Sequence, residues 1–355
     1  SRGLGDVYKR QLPQVSIVDL REELKKGNRS VLSTELKTSL SETLRKKEQT
    51  MLFLNRRGYA GFVSCRACGH VMKCPHCDVS LSEHNGSRLI CHYCGYETVK
   101  PQVCPSCGSP HIGGFKAGTQ QIEKVLEKDF PEARVLRMDF DTTRTKDSYE
   151  KILASFSRHE ADILVGTQMI VKGHDFPDVT LVGVIAADLS LNMDDYHCGE
   201  RTFQLLTQAV GRAGRGAKPG RAVIQTYQPE HYSIQAAATQ DYGKFYKEEM
   251  SYRMLMDYPP AAHMMTVFGA CQDEELLKKA MYYIEVFIRR VSPKEELHMI
   301  GPAAASVGKV KDVYRQVLHL KHVDMAFLTA VREKLEQYIE INSGFRKIYI
   351  QFDMS

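Results

Sequence analysis

Eight of the ten cysteines fall in four Cys-x-x-Cys pairs, Cys65/Cys68, Cys74/Cys77, Cys91/Cys94 and Cys104/Cys107. Four thiolates close a tetrahedral zinc site, so the eight account for two all-cysteine sites. One such pair would serve as a redox couple; four in succession fit metal. Three of the pairs are followed at once by Gly69, Gly95 and Gly108. Glycine tolerates the left-handed backbone angles that let a chain fold around an ion and aim its amides at sulfur. The 13-residue gap between Cys77 and Cys91 suits a single zinc ribbon, with Cys65/Cys68 and Cys104/Cys107 nested outside it. Adjacent pairing, with five residues between Cys68 and Cys74, and interleaved pairing remain open. His70, His76, His84 and His92 lie nearby; with eight thiolates at hand they read as surface residues.

A second chemistry is spelled by Gly166-Thr-Gln-Met-Ile-Val-Lys-Gly-His-Asp-Phe-Pro177 and, about thirty residues on, Gln208-Ala-Val-Gly-Arg-Ala-Gly-Arg215. Arg212 and Arg215 are three apart, so the end of one helix presents both guanidiniums in the same direction. Arginine is planar, permanently charged and able to bind bidentately. A loop of donors and an arginine pair suit the phosphates of a nucleotide held between two domains. An arginine finger in such a place is worth roughly 10³–10⁵ in rate.

These groups need a scaffold. With 355 residues, two to three domains are expected. The chain is 43% apolar and 26% charged, ordinary for a globular protein. Its net charge of +5 permits nucleic-acid binding without demanding it. No run of about 18 apolar residues is present, which excludes a transmembrane helix by sequence. No secretory signal is visible, so the cysteines read as metal thiolates in a reducing cytoplasm rather than a secreted disulfide scaffold. Residues 1–11 have no period and no initiator Met; they read as an assembly scar before a chain that opens inside a longer gene product.

From there the elements alternate. Val15–Leu20 reads as a strand or extended linker. Ser33 caps a helix over 34–47 with Leu36, Leu40 and Leu44 on one face. Met51–Leu54 is a buried strand running into Asn55-Arg-Arg-Gly-Tyr59, a loop with two cations. After the cysteines come a helix over 118–130 capped near Thr119, a strand 134–138, a helix 146–158 and a strand 162–165. Thr180–Asp188 is a near-continuous apolar strand, buried on both faces and ending in an acid. A helix over 200–212 and a strand over 221–227 follow. This rhythm predicts an α/β fold, a parallel sheet with helices on both faces, whose functional groups gather at the carboxyl ends of the strands. Two helical segments then run to Tyr258-Pro-Pro260. Beyond that boundary the order strand 263–271, helix 273–291, strand 297–301, strand 313–320, helix 324–341, strand 346–353 is the βαββαβ split unit of ferredoxin-like domains. Arg315, Lys321, Arg346 and Lys347 are candidates for a basic face there.

A nucleotide hydrolase also needs a phosphate loop, and no Gly-x4-Gly-Lys-Ser/Thr occurs. The nearest approach, Gly301 to Val310, has the wrong spacing. Asp273-Glu-Glu275 reads as an acidic helix N-terminus rather than a metal-holding acid box. The second lobe of a two-lobe motor is expected here, without the first.

These residues resemble the PriA family of bacterial replication restart helicases, in superfamily 2. The resemblance runs from about residue 12 to the end. It rests on Phe53-Leu-Asn-Arg-Arg-Gly-Tyr59, the eight cysteines, Gly118-Thr119, Arg137-Met-Asp139, the 166–177 stretch, Glu200-Arg-Thr-Phe-Gln-Leu-Leu206, Gly211–Arg215 and Tyr258-Pro-Pro260. Two departures stand out: Gln208-Ala-Val-Gly-Arg212 where the family usually reads Gln-Val-Ala-Gly-Arg, and Asp195-Tyr-His197 where it commonly ends in Arg.

The resemblance implies a RecA-like second helicase lobe with an inserted two-zinc module and a C-terminal α+β domain. The segments are 12–63 (interlobe segment and start of the lobe), 64–110 (zinc insertion), 111–256 (the rest of the lobe) and 257–355 (DNA- and partner-binding domain). It implies nested zinc pairing: Cys65, Cys68, Cys104 and Cys107 for one ion, Cys74, Cys77, Cys91 and Cys94 for the other. Gly166, Thr167, Gln168, Lys172, Gly173 and Asp175 match the motif that couples DNA contact to the nucleotide site. Gln208, Arg212 and Arg215 match the motif whose arginines face the γ-phosphate. Implied too are ATP with Mg²⁺, 3′–5′ translocation, and remodelling of stalled forks to start primosome assembly. The implied partners are forked and single-stranded DNA, single-strand-binding protein, primosome proteins and the replicative helicase loading system. The chain alone is expected to lack ATP turnover. The competing class is a non-enzymatic zinc scaffold that docks DNA and protein.

Overall fold

The computed structural model describes residues 12–54, 63–76, 80–84, 88–91, 94–113, 118–139, 142–143, 146–170, 175–191, 195–292 and 297–355. Residues 1–11, the Asn55–Tyr59 loop, Cys77, His92, Lys172 and Gly173 lie outside the described residues. In chain order the elements begin with β1 (Gln14–Asp19), α1 (Leu20–Lys25), α2 (Thr34–Arg45) and β2 (Gln49–Leu54). The cysteine region holds β3 (Ser64–Cys65), β4 (Ser82–His84), β5 (Arg88–Ile90), β6 (Glu97–Val99) and β7 (Ile112–Gly113). Next come α3 (Thr119–Asp129), β8 (Val135–Met138), α4 (Lys146–Ser157), β9 (Ile163–Gly166), β10 (Val179–Ile185) and α5 (Asp188–Leu191). Then follow α6 (Cys198–Val210), β11 (Arg221–Thr226), α7 (Tyr232–Thr239) and α8 (Tyr242–Leu255). The last are β12 (His263–Cys271), α9 (Glu274–Val291), β13 (His298–Val310), β14 (Val313–His322), α10 (Met325–Ile341) and β15 (Tyr349–Met354). They divide into two compact units: Ser1–Val71, Pro101–Met193 and His197–Phe245 form one, and Met72–Lys100, Asp194–Tyr196 and Tyr246–Ser355 the other.

The first unit is built on a six-stranded sheet in the order β1-β11-β10-β2-β9-β8, every pair parallel. β2 and β10 are buried along their whole length. Strand side chains alternate between faces, so a run buried on both sides is largely apolar; the buried Gln49 and Thr180 donate to Phe156 O and Glu48. Met51 and Phe53 pack with Leu153 and Phe156 of α4 and Phe203 and Leu206 of α6. Leu52 and Leu54 pack with Leu36 and Leu40 of α2 and Ile122 and Leu126 of α3. The expected α/β arrangement is therefore present, with α4, α6 and α7 on one face and α2 and α3 on the other. The edge strand β1 closes against β11 in register, Gln14 opposite Arg221 and Asp19 opposite Thr226.

Two local readings change. Ser33 caps α2 as expected, its hydroxyl accepting from the Leu36 amide at 3.2 Å. α3 begins at Gly118 with no side-chain cap; Thr119 instead donates its hydroxyl to Asp139 Oδ2 at 2.6 Å. The strand at Thr180–Asp188 stops at Ile185, and Asp188 opens the short α5.

The second unit carries β12–α9–β13–β14–α10–β15 in an antiparallel sheet ordered β13-β14-β12-β15, the topology of the split βαββαβ unit. α9 and α10 cover one face through Leu277, Met281, Ile284, Leu328, Val331 and Leu335. Asp273 caps α9, accepting from the Leu276 amide at 3.0 Å, so that acidic stretch is a helix start. β13 runs nine residues beyond the expected end at 301. It turns into β14 through Lys311 and Asp312, whose φ values of 48° and 60° are those of a two-residue primed turn. The Gly301–Val310 stretch is thus strand, which removes it as a phosphate loop. Lys321 leaves the candidate basic face: it is buried, donates to Met256 O at 2.9 Å and lies 3.5 Å from the Tyr258 ring centroid. Tyr258 in turn stacks on Tyr196 at 4.6 Å. The small sheet β4-β5-β6, with Leu81 and Leu89 fully buried, belongs to this unit.

Candidate metal centres and arginine site

Cys65 ends β3, which pairs with β7 and so brings the two flanks of the cysteine region together. The backbone then folds back. Cys65 N donates to His70 O and Gly69 N donates to Cys65 O, both at 2.8 Å. The same pair of bonds recurs at Cys91 with Gly95 and Tyr96, and at Cys104 with Gly108 and Ser109. Gly69 has φ +78°, and a Cβ there would lie 2.3 Å from Tyr227 O. That position requires glycine for both reasons.

The Sγ atoms of Cys65, Cys68, Cys104 and Cys107 all lie within 4.8 Å of one another, as do those of Cys74, Cys91 and Cys94. Individual separations are 3.7 Å for Cys65–Cys107, 3.6 Å for Cys68–Cys104 and 3.5 Å for Cys74–Cys94. A tetrahedron with zinc–sulfur bonds of about 2.3 Å has sulfur–sulfur edges of about 3.8 Å. A disulfide would require about 2.05 Å. The spacing is that of thiolates around an ion. It brings together all four cysteines of the outer nested set and Cys74, Cys91 and Cys94 of the inner one, Cys77 lying outside the described residues; neither adjacent nor interleaved pairing gives these groups. Among the described residues no histidine joins either cluster; His76 packs edge-on against Tyr96 at 5.6 Å instead.

Burial, reinforced by neighbouring thiols, pushes Cys68 up to about 12 and, with Cys91 beside it, Cys74 up to about 12. At Cys104 burial acts the same way but the Ser106 and Cys107 amides outweigh it, bringing the thiol down to about 7. Thiolates crowded like this need a cation, and a divalent soft ion fits the all-sulfur donor set. The clusters are built to hold zinc.

The first knuckle is fastened to the sheet of its own unit. Arg21 reaches Cys68 O at 3.4 Å with Nη1, binds both carboxylate oxygens of Asp19, and pairs with Glu230 at 2.7 Å. Asp19 and its neighbour Leu20 mark the end of β1, while Gly69 lies on the backbone at the end of β11. α1, which carries Arg21, was not anticipated: six residues with four charges show no apolar stripe.

Gly166 closes β9, and Thr167 N donates to Met138 O at 3.4 Å. Gln168 Oε1 is buried with no hydrogen-bond partner among the described residues. Asp175 is largely exposed and lies 3.5 Å from Arg215 Nη1. Gln208 is exposed on α6. α6 ends at Val210, so Arg212 and Arg215 stand in the turns beyond it rather than on its last turn. The turn is closed by Gly214, at φ +70°, whose amide donates to Val179 O at 2.9 Å. Val179 is the first residue of β10. The arginines therefore sit beside the start of a strand, against the expectation that every motif gathers at carboxyl ends. A helix antiparallel to its strands must end at the opposite edge. The two guanidiniums are nonetheless neighbours: burial and then the charge of Arg215 hold Arg212 below the usual arginine range, with Asp175 opposing. Arg215 Nε donates to Gly211 O at 2.9 Å, so the backbone holds the guanidinium through Nε rather than through its terminal nitrogens.

Three family models match the chain. The PriA DNA helicase Cys-rich region domain covers residues 74–98, the helicase conserved C-terminal domain 114–217, and the primosomal protein N C-terminal domain 254–355. The chain belongs to the PriA family. Replication restart protein PriA of Bacillus subtilis is 46% identical over 98% of this chain and 43% of its own length. The PriA proteins of Synechocystis and Haemophilus influenzae are 45% and 35% identical, over 93% and 94% of this chain and 40% and 45% of theirs. The chain thus spans rather less than half the length of these PriA relatives. No helix among the described residues is long and apolar enough to cross a membrane.

Asp188, which the sequence marks only as a strand-end acid, is a fully buried carboxyl. Burial raises it to about 6 although Tyr227 N and the Thr226 hydroxyl both donate to it. Its folded value exceeds the ordinary 3.8. The stability it contributes by holding a proton is therefore fully present below about pH 4 and lost as pH rises through about 6. Measured against Asp188→Asn by chemical denaturation, the unaltered chain should gain about 1 kcal/mol between pH 7 and pH 5. A pH-independent difference between the two would show that Asp188 stays ionised.

Proposed function

We propose that the chain is the second motor lobe, zinc insertion and C-terminal platform of an ATP-dependent 3′–5′ DNA helicase. The whole protein recognises and remodels stalled replication forks and initiates primosome assembly. The observation that carries this is the arginine pair, brought together just beyond α6 on a turn closed by Gly214, with Arg215 Nη1 3.5 Å from Asp175. ATP with Mg²⁺ supplies the phosphoryl group whose hydrolysis drives the motor. Arg212 and Arg215 bind the γ-phosphate side of that nucleotide, and Arg215 meets the charge that develops in transfer. Gln208 lies one helical turn before Arg212 and orients the same phosphates. Gly166, Thr167, Gln168, Lys172, Gly173 and Asp175 link this nucleotide edge to the strand end that faces DNA.

One zinc is held by Cys65, Cys68, Cys104 and Cys107, and the other by Cys74, Cys77, Cys91 and Cys94. Neither takes part in the chemistry; four sulfurs leave no open position for a substrate. The partners are forked and single-stranded DNA, single-strand-binding protein, primosome proteins and the replicative helicase loading system, in the cytoplasm.

The test is DNA-stimulated ATP hydrolysis by the chain alone and by the chain joined to the phosphate-binding lobe of a PriA relative. The chain alone should bind DNA without turnover, and the joined protein should hydrolyse ATP only when DNA is present. A joined protein that binds ATP and DNA yet turns over nothing would sink the motor reading.

A further inference from the structure

Outside the arginine site, the first unit holds a cavity of about 320 Å³ at the carboxyl ends of β1, β11 and β10. Its floor includes Leu20, Ile185, Ala186 and the half-buried Tyr227. Arg29 and Arg66, both exposed, stand on its rim, with His111 and Gln121 at the mouth. The carboxylate in the lining, Glu23, is turned away from any ligand: it accepts from Asn28 Nδ2 at 2.6 Å, Thr34 N at 2.7 Å and the Thr34 hydroxyl at 2.9 Å. The rim is therefore cationic and the floor apolar.

The position is informative apart from the lining. After β1 the chain passes to α2 on one face of the sheet, and after the adjacent β11 to α7 on the other. Where neighbouring strands send their connections to opposite faces, the loops part and leave a crevice outside the strand ends. Ligands of parallel sheets bind in that crevice. The volume is at the lower end of the range for small-ligand pockets, enough for one nucleotide and not for a duplex. Arg66 comes from the zinc knuckle, between Cys65 and Cys68, and its backbone amide is tied to His111 O at 2.9 Å. Its charge is felt at the Tyr227 phenol, which burial otherwise pushes up. Arg66 is thus near enough for its charge to act on the phenol while its side chain stays exposed on the rim.

We propose that this cavity receives one nucleotide of a single DNA strand, its base against Tyr227, Ile185 and Ala186 and its phosphate on Arg29 and Arg66. The inference rests on the DNA-binding reading above and adds the place on the lobe where the strand is gripped. An aromatic platform beside cations is the usual means of holding single strands without reading sequence. The zinc knuckle then does more than brace the sheet, because it carries one of the two phosphate-binding arginines into position.

The test uses the zinc-loaded chain and an oligothymidylate containing 5-iododeoxyuridine. Irradiation should cross-link the base to the peptide holding Tyr227. In Arg29→Ala/Arg66→Gln, with two zincs and an unchanged melting temperature, affinity should fall roughly tenfold. The salt slope should decrease by about 1.4, two phosphate contacts at about 0.7 each. Thymidine monophosphate serves as the second probe: if it occupies the pocket while the strand cross-links elsewhere, the pocket is a free-nucleotide site and the proposal is overturned. Unchanged affinity and slope in the variant overturn it as well, while leaving the DNA-binding reading intact. No DNA binding by the unaltered chain would remove both.

Discussion

Arg215→Ala, in a protein that joins this chain to a phosphate-binding lobe, is expected to lower DNA-stimulated ATP turnover by roughly 10³-fold or more. The size follows from what holds the side chain. Arg215 Nε is committed to Gly211 O, which fixes the direction of the guanidinium without using its terminal nitrogens. Its contact with Asp175 is long, at 3.5 Å, and the carboxylate is largely exposed. A pair of that kind is worth no more than about 1 kcal/mol, so exchanging it for phosphate costs little. The γ-phosphoryl charge that develops in transfer has no such substitute, and alanine leaves it unmet. Arg215→Lys should recover only part of the rate, because an ammonium lacks the planar fork. Fork binding and zinc content should stay within about twofold of the unaltered protein, since Arg215 touches neither a cysteine cluster nor the sheet core. Steady-state turnover with saturating DNA measures the first effect and fluorescence anisotropy the second. Turnover within tenfold of normal would show that Arg215 does not face the transferred group.

The second large effect is expected at the metal centres, and it differs between them. Cys104→Ser should lose one of two zincs and destabilise the parallel-sheet unit. Structural zinc contributes on the order of 10 kcal/mol to folding, comparable with the whole stability of a domain. In this unit the knuckle is not a free appendage. Gly69 packs on Tyr227 O, and Arg21 joins Cys68 O to Asp19 and Glu230. Loss of the ion therefore loosens the ends of β1 and β11, and amide exchange there should accelerate by several orders of magnitude. Cys74→Ser should also lose one zinc, but its ribbon, β4-β5-β6, groups with the C-terminal unit. Exchange in β1 and β11 should then stay slow, while partner docking by the C-terminal unit is impaired. Zinc analysis of each variant, with hydrogen exchange read peptide by peptide, separates the two. Two ions retained in either variant would mean that the ligand sets are wrong. Unchanged protection at β1 and β11 in a one-zinc Cys104→Ser protein would mean that the knuckle does not brace the sheet.

Much of this was legible beforehand, and the reasons are local. Met51–Leu54 and Leu181–Ile185 carry no polar side chain, which a strand buried on both faces can use. Leu36 and Leu40 recur every fourth residue and were bound to meet a sheet. Cysteine spacing spelled metal because few other chemistries need eight thiols so close together. What stayed hidden depends on distant partners. The middle of β13, Gly301-Pro-Ala-Ala-Ala-Ser306, has poor strand propensity and is held by Ala303 and Ala304 pairing with Val317 and Gln316 of β14. The arginines' place at the start of β10 depends on Gly214 bonding to Val179 and Gly216 packing on Pro177, residues more than thirty positions away. Lys321 reads as surface charge in the sequence because Tyr258 and Met256 O, which lie beneath it, are more than sixty residues away.

The pairing of β1 with β11 has a consequence for how the protein is made. Ser16 and its contact Ala222 are 206 residues apart. At about 5–20 residues per second, a ribosome needs roughly 10–40 s to bring the second within reach of the first. For that interval the earliest strand of the sheet has no native neighbour, and its exposed backbone is open to nascent chains or chaperones. The strands β2, β8, β9 and β10 complete their mutual pairings earlier, by the time β10 emerges. The lobe is thus stitched shut at its oldest edge last, and a ribosome that stalls anywhere in between releases a chain with that edge bare.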